Sequence, residues 1–234
     1  MRIVLVIQAR VNSTRLPRKM LLPLAGKTIL QHVVERCLRT QMPDAVVLAF
    51  PAGDAEIEIM TNKYKTLQWC RYQGLESDLV GRFAHVSRQF GGQILCRVPA
   101  DNPCVDPDII DGHIHKFLFQ PTTFSSSQIY EHHGYCFDGL GTEICFANWY
   151  QYLDSNVTHR TYREHPHIYF QDRRLVDYPY CTNPNPQPLE LHVNLQEEYE
   201  LLKPAFEAVY AHHQEFPGVE VGKRVAAYRE TSRV

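Results

Sequence analysis

Ile3-Val4-Leu5-Val6-Ile7 is a continuous apolar run rich in β-branched residues, and Gln8-Ala9-Arg10-Val11-Asn12-Ser13-Thr14-Arg15-Leu16-Pro17-Arg18-Lys19 follows it without a break. A short run with no polar face reads as a strand buried on both sides. The segment after it then sets four cations and two hydroxyls at the strand's carboxyl end. From Thr28 to Arg39 the apolar positions Ile29, Leu30, Val33, Val34, Cys37 and Leu38 recur at helical spacing, and Pro43-Asp44 supplies the break. Strand followed by helix is the unit that repeats along the chain.

Further strands are predicted at Ala45 to Phe50, Gln68 to Tyr72, Gln93 to Val98 and Thr123 to Ser127. Helical patterns separate them near Glu56 to Lys65, Asp78 to Phe90 and Pro107 to Phe119. Parallel neighbours need crossover helices, so this order implies an α/β fold: an open, mostly parallel sheet with helices on both faces. Ligands of such sheets bind beyond the carboxyl ends of the strands. After residue 128 the pattern loosens into helices near Asn148 to Asp154 and Thr161 to Phe170, a strand near Leu175 to Tyr180, and the proline cluster Pro184, Pro186 and Pro188, read as a rigid loop. A late helix over Glu197 to Ala211 runs through Pro204. The whole of 1–234 is read as one domain, with 1–127 the nucleotide-binding half and 128–234 the acceptor half and a dimer-contact candidate.

The chain has 234 residues, 44% hydrophobic and 11% aromatic, which excludes a disordered or collagenous chain. Its net charge of −2 is unevenly spread: residues 1–40 hold eight basic residues and one acid, the remainder sixteen bases against twenty-five acids. An acidic body with a basic first sixth argues against broad electrostatic binding to nucleic acid and for a local site receiving a compact anion. Arg36 and Arg39 are read as part of a solvated helix face. The seven cysteines form no CxxC and no disulfide framework, and the close histidine pairs are joined by no cysteine at zinc-ligand spacing. No apolar run reaches the length of a membrane span, and Met1 to Ile7 is too short for a signal peptide. These features are those of a soluble protein of a reducing, cytoplasmic compartment.

Arginine forks, a lysine point charge and the Ser13 and Thr14 hydroxyls are the parts of a phosphate site. The loop is neither a P-loop nor a GxGxxG turn. At the end of the strand from Gln93, Cys96-Arg97-Val98-Pro99-Ala100-Asp101 brings a carboxylate to the same sheet edge. A hard carboxylate facing bound phosphates is how magnesium is usually held. Asp106, ahead of Pro107, reads as a helix cap.

Gln8 to Lys19, with Leu21 to Leu30, resembles the opening motif of the cytidylyltransferases related to the spore-coat polysaccharide biosynthesis protein, and more distantly of the acylneuraminate and 3-deoxy-manno-octulosonate cytidylyltransferases. Arg97 to Asp111 is similar to a later motif of that family. Gly74, Glu76, Asp78, Leu79, Arg82 and Phe83 match a third segment, while Gly139, Glu143 and Arg163-Glu164-His165 resemble its second half. The resemblance implies a nucleotide-diphospho-sugar transferase fold and transfer of CMP from CTP to a sugar or acidic sugar, with release of pyrophosphate. It further implies that Gln8, Ala9, Arg10, Ser13, Thr14, Arg15, Lys19, Asp78 and Arg82 bind the nucleotide, that Arg10, Lys19 and Asp101 are catalytic, and that Asp101 holds Mg2+. Glu143, Arg163 and His165 fall on the acceptor side, and a homodimer is expected.

This chain departs from the family in three places. Asn12 and Arg18 stand where glycine is frequent, and Asn194, in Leu189 to Glu198, stands where the family motif has an aspartate that supplies a second carboxylate to magnesium. Asn194 offers a carbonyl oxygen but no charge. Weaker metal binding, a different acceptor or lost catalysis would follow. The alternatives to a CTP enzyme are a nucleotidyltransferase using another triphosphate and a non-catalytic nucleotide- or partner-binding homologue.

Overall fold

A computed structural model describes residues 1–183 and 186–231, so Pro184 of the proline cluster lies outside the described residues. β1 (Ile3–Gln8) leads through a 3-10 turn (Lys19–Leu21) and a small hairpin, β2 (Pro23–Leu24) and β3 (Lys27–Thr28), into α1 (Ile29–Cys37). Strand and helix then alternate through β4 (Ala45–Pro51), α2 (Ala55–Thr61), β5 (Gln68–Tyr72), α3 (Leu79–Phe90), β6 (Ile94–Pro99), α4 (Pro107–Phe119) and β7 (Phe124–Ser126). Next come β8 (Ile129–His132), β9 (Tyr135–Asp138), β10 (Glu143–Phe146), α5 (Ala147–Asn156), α6 (Arg160–Glu164) and α7 (Pro166–Asp172). β11 (Val176–Asp177), β12 (Leu189–Glu190), α8 (Gln196–His212) and α9 (Gly218–Thr231) complete the described chain.

The main sheet has seven strands in the order β11-β7-β10-β6-β1-β4-β5. β5, β4, β1 and β6 are parallel neighbours, whereas β10 runs against both β6 and β7. Every residue of Ile3–Ile7 is at most 5% exposed, which explains a run with no polar position. Ile3, Leu5 and Ile7 pack with Leu30 and Val33 of α1 and Ile110 of α4. Val4 and Val6 meet Val80 and Phe83 of α3 and Tyr150 of α5 on the opposite face. Successive side chains of a strand point to opposite faces, so one strand feeds both layers. A third cluster, with Phe137, Leu191, Phe206 and Val221, joins α8 and α9 to the small sheet β12-β9-β8.

α1 starts where Thr28 Oγ1 accepts from the Gln31 amide at 3.2 Å and Gln31 Oε1 accepts from the Thr28 amide at 2.9 Å, a reciprocal cap. The helix expected over Thr161 to Phe170 is instead α6 and α7, divided at His165. Pro166 has no N–H to continue the earlier helix and starts a new one. Of the strand expected over Leu175 to Tyr180, Val176 and Asp177 pair, against β7. The segment from Gln128 to Leu140, where the apolar pattern loosens, is mostly the β8–β9 hairpin. Its two turn residues, His133 and Gly134, have φ of +48° and +84°. That is the backbone of a type I′ turn, which Asn-Gly usually announces.

Arg36 also overturns its reading as solvated surface. It is 4% exposed, its Nε donates to the Val105 carbonyl, and its Nη2 donates to the Phe216 carbonyl at 3.0 Å. Its guanidinium lies 4.7 Å from the centre of the Phe216 ring and 4.0 Å from Asp106, which pulls the approach to α9 onto the sheet. Asp106 does cap α4, accepting from the Asp108 amide at 3.0 Å, and it also takes the Gly218 amide at 2.6 Å. Five cysteines are buried, Cys136 and Cys181 are half-buried, and all seven are free. No helix among the described residues is long and apolar enough to cross a membrane.

Candidate functional site

A cleft of about 410 Å³ opens at the carboxyl edge of β1 and β6. The register that sets Gln8 against Pro99 continues one step further, the Ala100 amide donating to the Gln8 carbonyl at 3.0 Å. The loop after β1 and the turn carrying Asp101 therefore emerge side by side. Gln8, Arg10, Arg15, Lys19, Asp101, Glu143, His165 and Asn194 all line the cleft. The Lys19 ammonium sits on the Asp101 carboxylate and donates to Asn194 Oδ1 at 2.6 Å, and Arg15 Nη2 donates to the same oxygen at 2.8 Å. Asn194 reaches them because the Val193 amide donates to the Asp101 carbonyl at 2.9 Å. The Glu198 carboxylate then fixes the backbone by accepting the Asn194 and Leu195 amides at 2.6 and 3.0 Å.

Three of the four loop cations converge, and the fourth does not. Arg18 has φ of +58° and holds Glu56 through two hydrogen bonds of 2.7 and 2.8 Å on an exposed face. It adopts the left-handed backbone that glycine takes most readily, in keeping with the glycine that the resemblance implies at this place. Asn12, by contrast, does not use such a conformation and donates to Glu76 at 3.2 Å.

Five other residues implied for the nucleotide stand outside this cleft, among them Ala9, whose side chain is fully buried. Arg82 is fully buried beneath the loop, donating to the Ala9 carbonyl at 3.2 Å and the Glu76 carbonyl at 2.6 Å. Burial, with the charge of Arg10, lowers its pKa to about 10. Asp78 caps α3 by accepting from the Gly81 amide at 3.1 Å, and it pairs with Arg163 through hydrogen bonds of 2.9 and 2.8 Å. Arg163 also holds Asp154 at 2.9 Å, so neither member of the Asp78–Arg163 pair faces the cleft. Ser13 and Thr14 line an adjoining depression together with Arg10 and Glu76, and Ser13 Oγ accepts from the Leu16 amide at 3.4 Å.

The cleft holds residues that the sequence reading passed over. Arg97 pairs with Glu143 directly across the β6–β10 register, and its Nε donates to Gln8 Oε1 at 2.7 Å. Asp138 and His192 line the wall beside Asn194, with Glu190 within 3.1 Å of His192. Burial raises the Asp138 carboxyl to about 6, His192 opposes this, and Glu190, Glu143 and Asp101 add to it. Burial pushes His165 and His167 below the ordinary imidazole value, so both are neutral at pH 7.

A divalent ion held by protein alone needs several oxygen ligands, carboxylates foremost. Among the described residues the carboxylate in contact with Lys19 is Asp101, and the Asn194 oxygen beside it already accepts two hydrogen bonds; Glu76 and Glu164 are taken up by Asn12 and Arg10, and Asp138, Glu190 and His192 gather on the wall beyond Asn194. The donors around Lys19, one paired carboxylate and one saturated amide oxygen, do not fit a resident magnesium ion, and the group on the far wall includes an imidazole, a ligand magnesium does not favour.

The architecture recurs in a cytidylyltransferase structure from Leptospira borgpetersenii, with a TM-score of 0.82 at 23% identity over 98% of this chain and 96% of that one. It recurs in CMP:2-keto-3-deoxy-manno-octonic acid synthetase complexed with CTP, with a TM-score of 0.64 at 17% identity over 91% of this chain and 99% of that one. The fold is therefore that of the nucleotide-diphospho-sugar transferases, whose solved neighbours are nucleotidyltransferases. Within that class the cytidylyltransferase family model matches residues 4–230, and the chain belongs to that family. Among curated relatives, the 3-deoxy-manno-octulosonate cytidylyltransferase of Trichlorobacter lovleyi is 33% identical over 52% of this chain and 47% of its own length. The spore coat polysaccharide biosynthesis protein SpsF of Bacillus subtilis is 30% identical over 53% of this chain and 52% of its own. The chain spans about half the length of these two relatives.

Proposed function

We propose that this chain transfers CMP from CTP to a hydroxyl of a sugar and releases pyrophosphate. The observation that carries the reading is the convergence of Arg10, Arg15 and Lys19, from one loop, on the cleft that also holds Asp101. The acceptor oxygen attacks the α-phosphorus, the bond to the β-phosphate oxygen breaks, and the pyrophosphate leaves with that electron pair. Fixed cations along the triphosphate stabilise the leaving charge without reorganising, the main electrostatic task of such a transfer. Arg82 and Asp78–Arg163 act at one remove, holding the loop and α3 beneath the nucleotide. On the far wall, Ser126, Gln128, Glu143 and the neutral His165 and His167 offer donors and acceptors suited to sugar hydroxyls. Asp138, poised near 6, suits the base that receives the acceptor's proton. Magnesium, implied by the resemblance, would enter on the triphosphate rather than wait in the protein. The homodimer is carried over from the same resemblance and the cytoplasmic location from the composition and cysteine pattern, and Tyr152 and Tyr178 are exposed aromatics available to a contact.

The test is pyrophosphate release from CTP with a panel of neutral, amino and acidic sugars. Release that requires both CTP and one acceptor class is the expected result. Binding of CTP with no release across the panel would favour the non-catalytic reading.

A further inference from the structure

Asn194 holds two cations on one oxygen. Lys19 Nζ and Arg15 Nη2 are donors only, so the oxygen of the amide, and not its nitrogen, must face them, and the 2.6 and 2.8 Å bonds fix its orientation. A carbonyl oxygen can anchor both groups without cancelling the charge of either. The inner cluster of Arg15, Lys19, Asp101 and Asn194 thus keeps one net positive charge, where an acid at 194 would bring it to zero. Lys19 is 8% exposed and Asp101 is held within the same cleft, so solvent screens this balance only partly. Arg10 adds a further cation at the rim, answered at 3.6 Å by Glu164, whose side chain is 27% exposed.

A triphosphate can be neutralised by a divalent ion shared with protein carboxylates, or by protein cations alone. Two carboxylates would repel the phosphates until a metal ion arrived between them. One carboxylate that already carries an ammonium does not. Resting on the triphosphate reading above, we propose that this chain binds its nucleotide's triphosphate through protein cations without requiring a divalent ion, and that the uncharged side chain of Asn194, standing where a second carboxylate would cancel a cation, is what permits it. The proposal concerns binding; what a metal ion adds to the transfer step is separate from it.

The test is equilibrium binding of CTP to the full chain, by calorimetry, in excess EDTA and in excess magnesium. For the native chain the two affinities should agree within about threefold. Asn194→Asp should lose about tenfold or more in EDTA and recover in magnesium, because the added charge lies within a few ångströms of the phosphates. Asn194→Ala, which keeps the charge balance, should retain tolerance of EDTA, and it covers the case in which the aspartate variant fails to fold. Native binding that collapses in EDTA, or an Asn194→Asp variant indifferent to EDTA, overturns the proposal. A native chain that binds no CTP in either buffer overturns the triphosphate reading itself, an outcome distinct from metal-dependent binding.

Discussion

Lys19 and Arg18 are neighbours in sequence with opposite fates, and the contrast tests the cleft residue by residue. Lys19 is buried against Asp101 and Asn194, whereas Arg18 turns outward to Glu56. Lys19→Ala removes a cation of the proposed triphosphate site and leaves Asp101 without its ammonium partner, so CTP affinity should fall by about tenfold or more, the scale of a lost charge-assisted hydrogen bond. Arg18→Gly should leave that affinity within about twofold and, by relieving a left-handed backbone at the loss of an exposed ion pair, leave stability unchanged or slightly raised. Titration calorimetry and urea unfolding read both. The sequence shows the cations but not their directions, because direction depends on which backbone conformation each residue adopts in the loop. Asp138, Arg97 and His192 were illegible for a related reason: each gains its meaning from a strand pairing or a cross-chain contact that no local spacing announces.

At the level of elements, the Asp78–Arg163 pair ties the start of α3 to α6, two elements that lie 85 residues apart at this contact. Burial alone would raise the Asp78 carboxyl, but the hydrogen bonds from Arg163, the Gly81 amide and Tyr72 outweigh it and hold the group below its ordinary 3.8. A carboxyl lowered in the folded state stabilises the protein above its unfolded pKa, and that stability is lost as pH falls through the folded value. Arg163→Gln should therefore cost about 1–3 kcal/mol at pH 7, with the gap from the native chain narrowing below about pH 4. Urea unfolding of both proteins at pH 7 and pH 3.5 gives the comparison; a gap of equal size at both would show that the pair's charge contributes nothing. The central strand and most helices were legible because periodicity and caps are local. Four-residue strands such as β8, β9 and β10 offer too few alternations to read, and the His133-Gly134 turn lacks the usual asparagine.

Across the whole molecule, the two halves read from the sequence are interleaved. β10, from the second half, lies between β6 and β7 of the first, and Arg36 of α1 reaches the carbonyl of Phe216. The parallel order from β5 to β6 was legible as alternating strand and helix, while the antiparallel insertion was not, because only the finished sheet shows which strands are neighbours. The cleft inherits this construction: the cationic loop comes from residues 8–19, the carboxylate from Asp101, and Asn194 from a segment anchored on Asp101. Ligand binding should therefore stabilise the entire fold rather than one loop. Thermal unfolding of the native chain with CTP, UTP, GTP and ATP in magnesium buffer tests this most directly. Saturation at about a hundred times the dissociation constant adds ~2.7 kcal/mol, roughly 5 to 10 °C for a chain of this size. The account predicts such a rise with CTP, smaller rises with the other three, and its loss in Lys19→Ala. No rise with any nucleotide, or the same rise in Lys19→Ala, would contradict it.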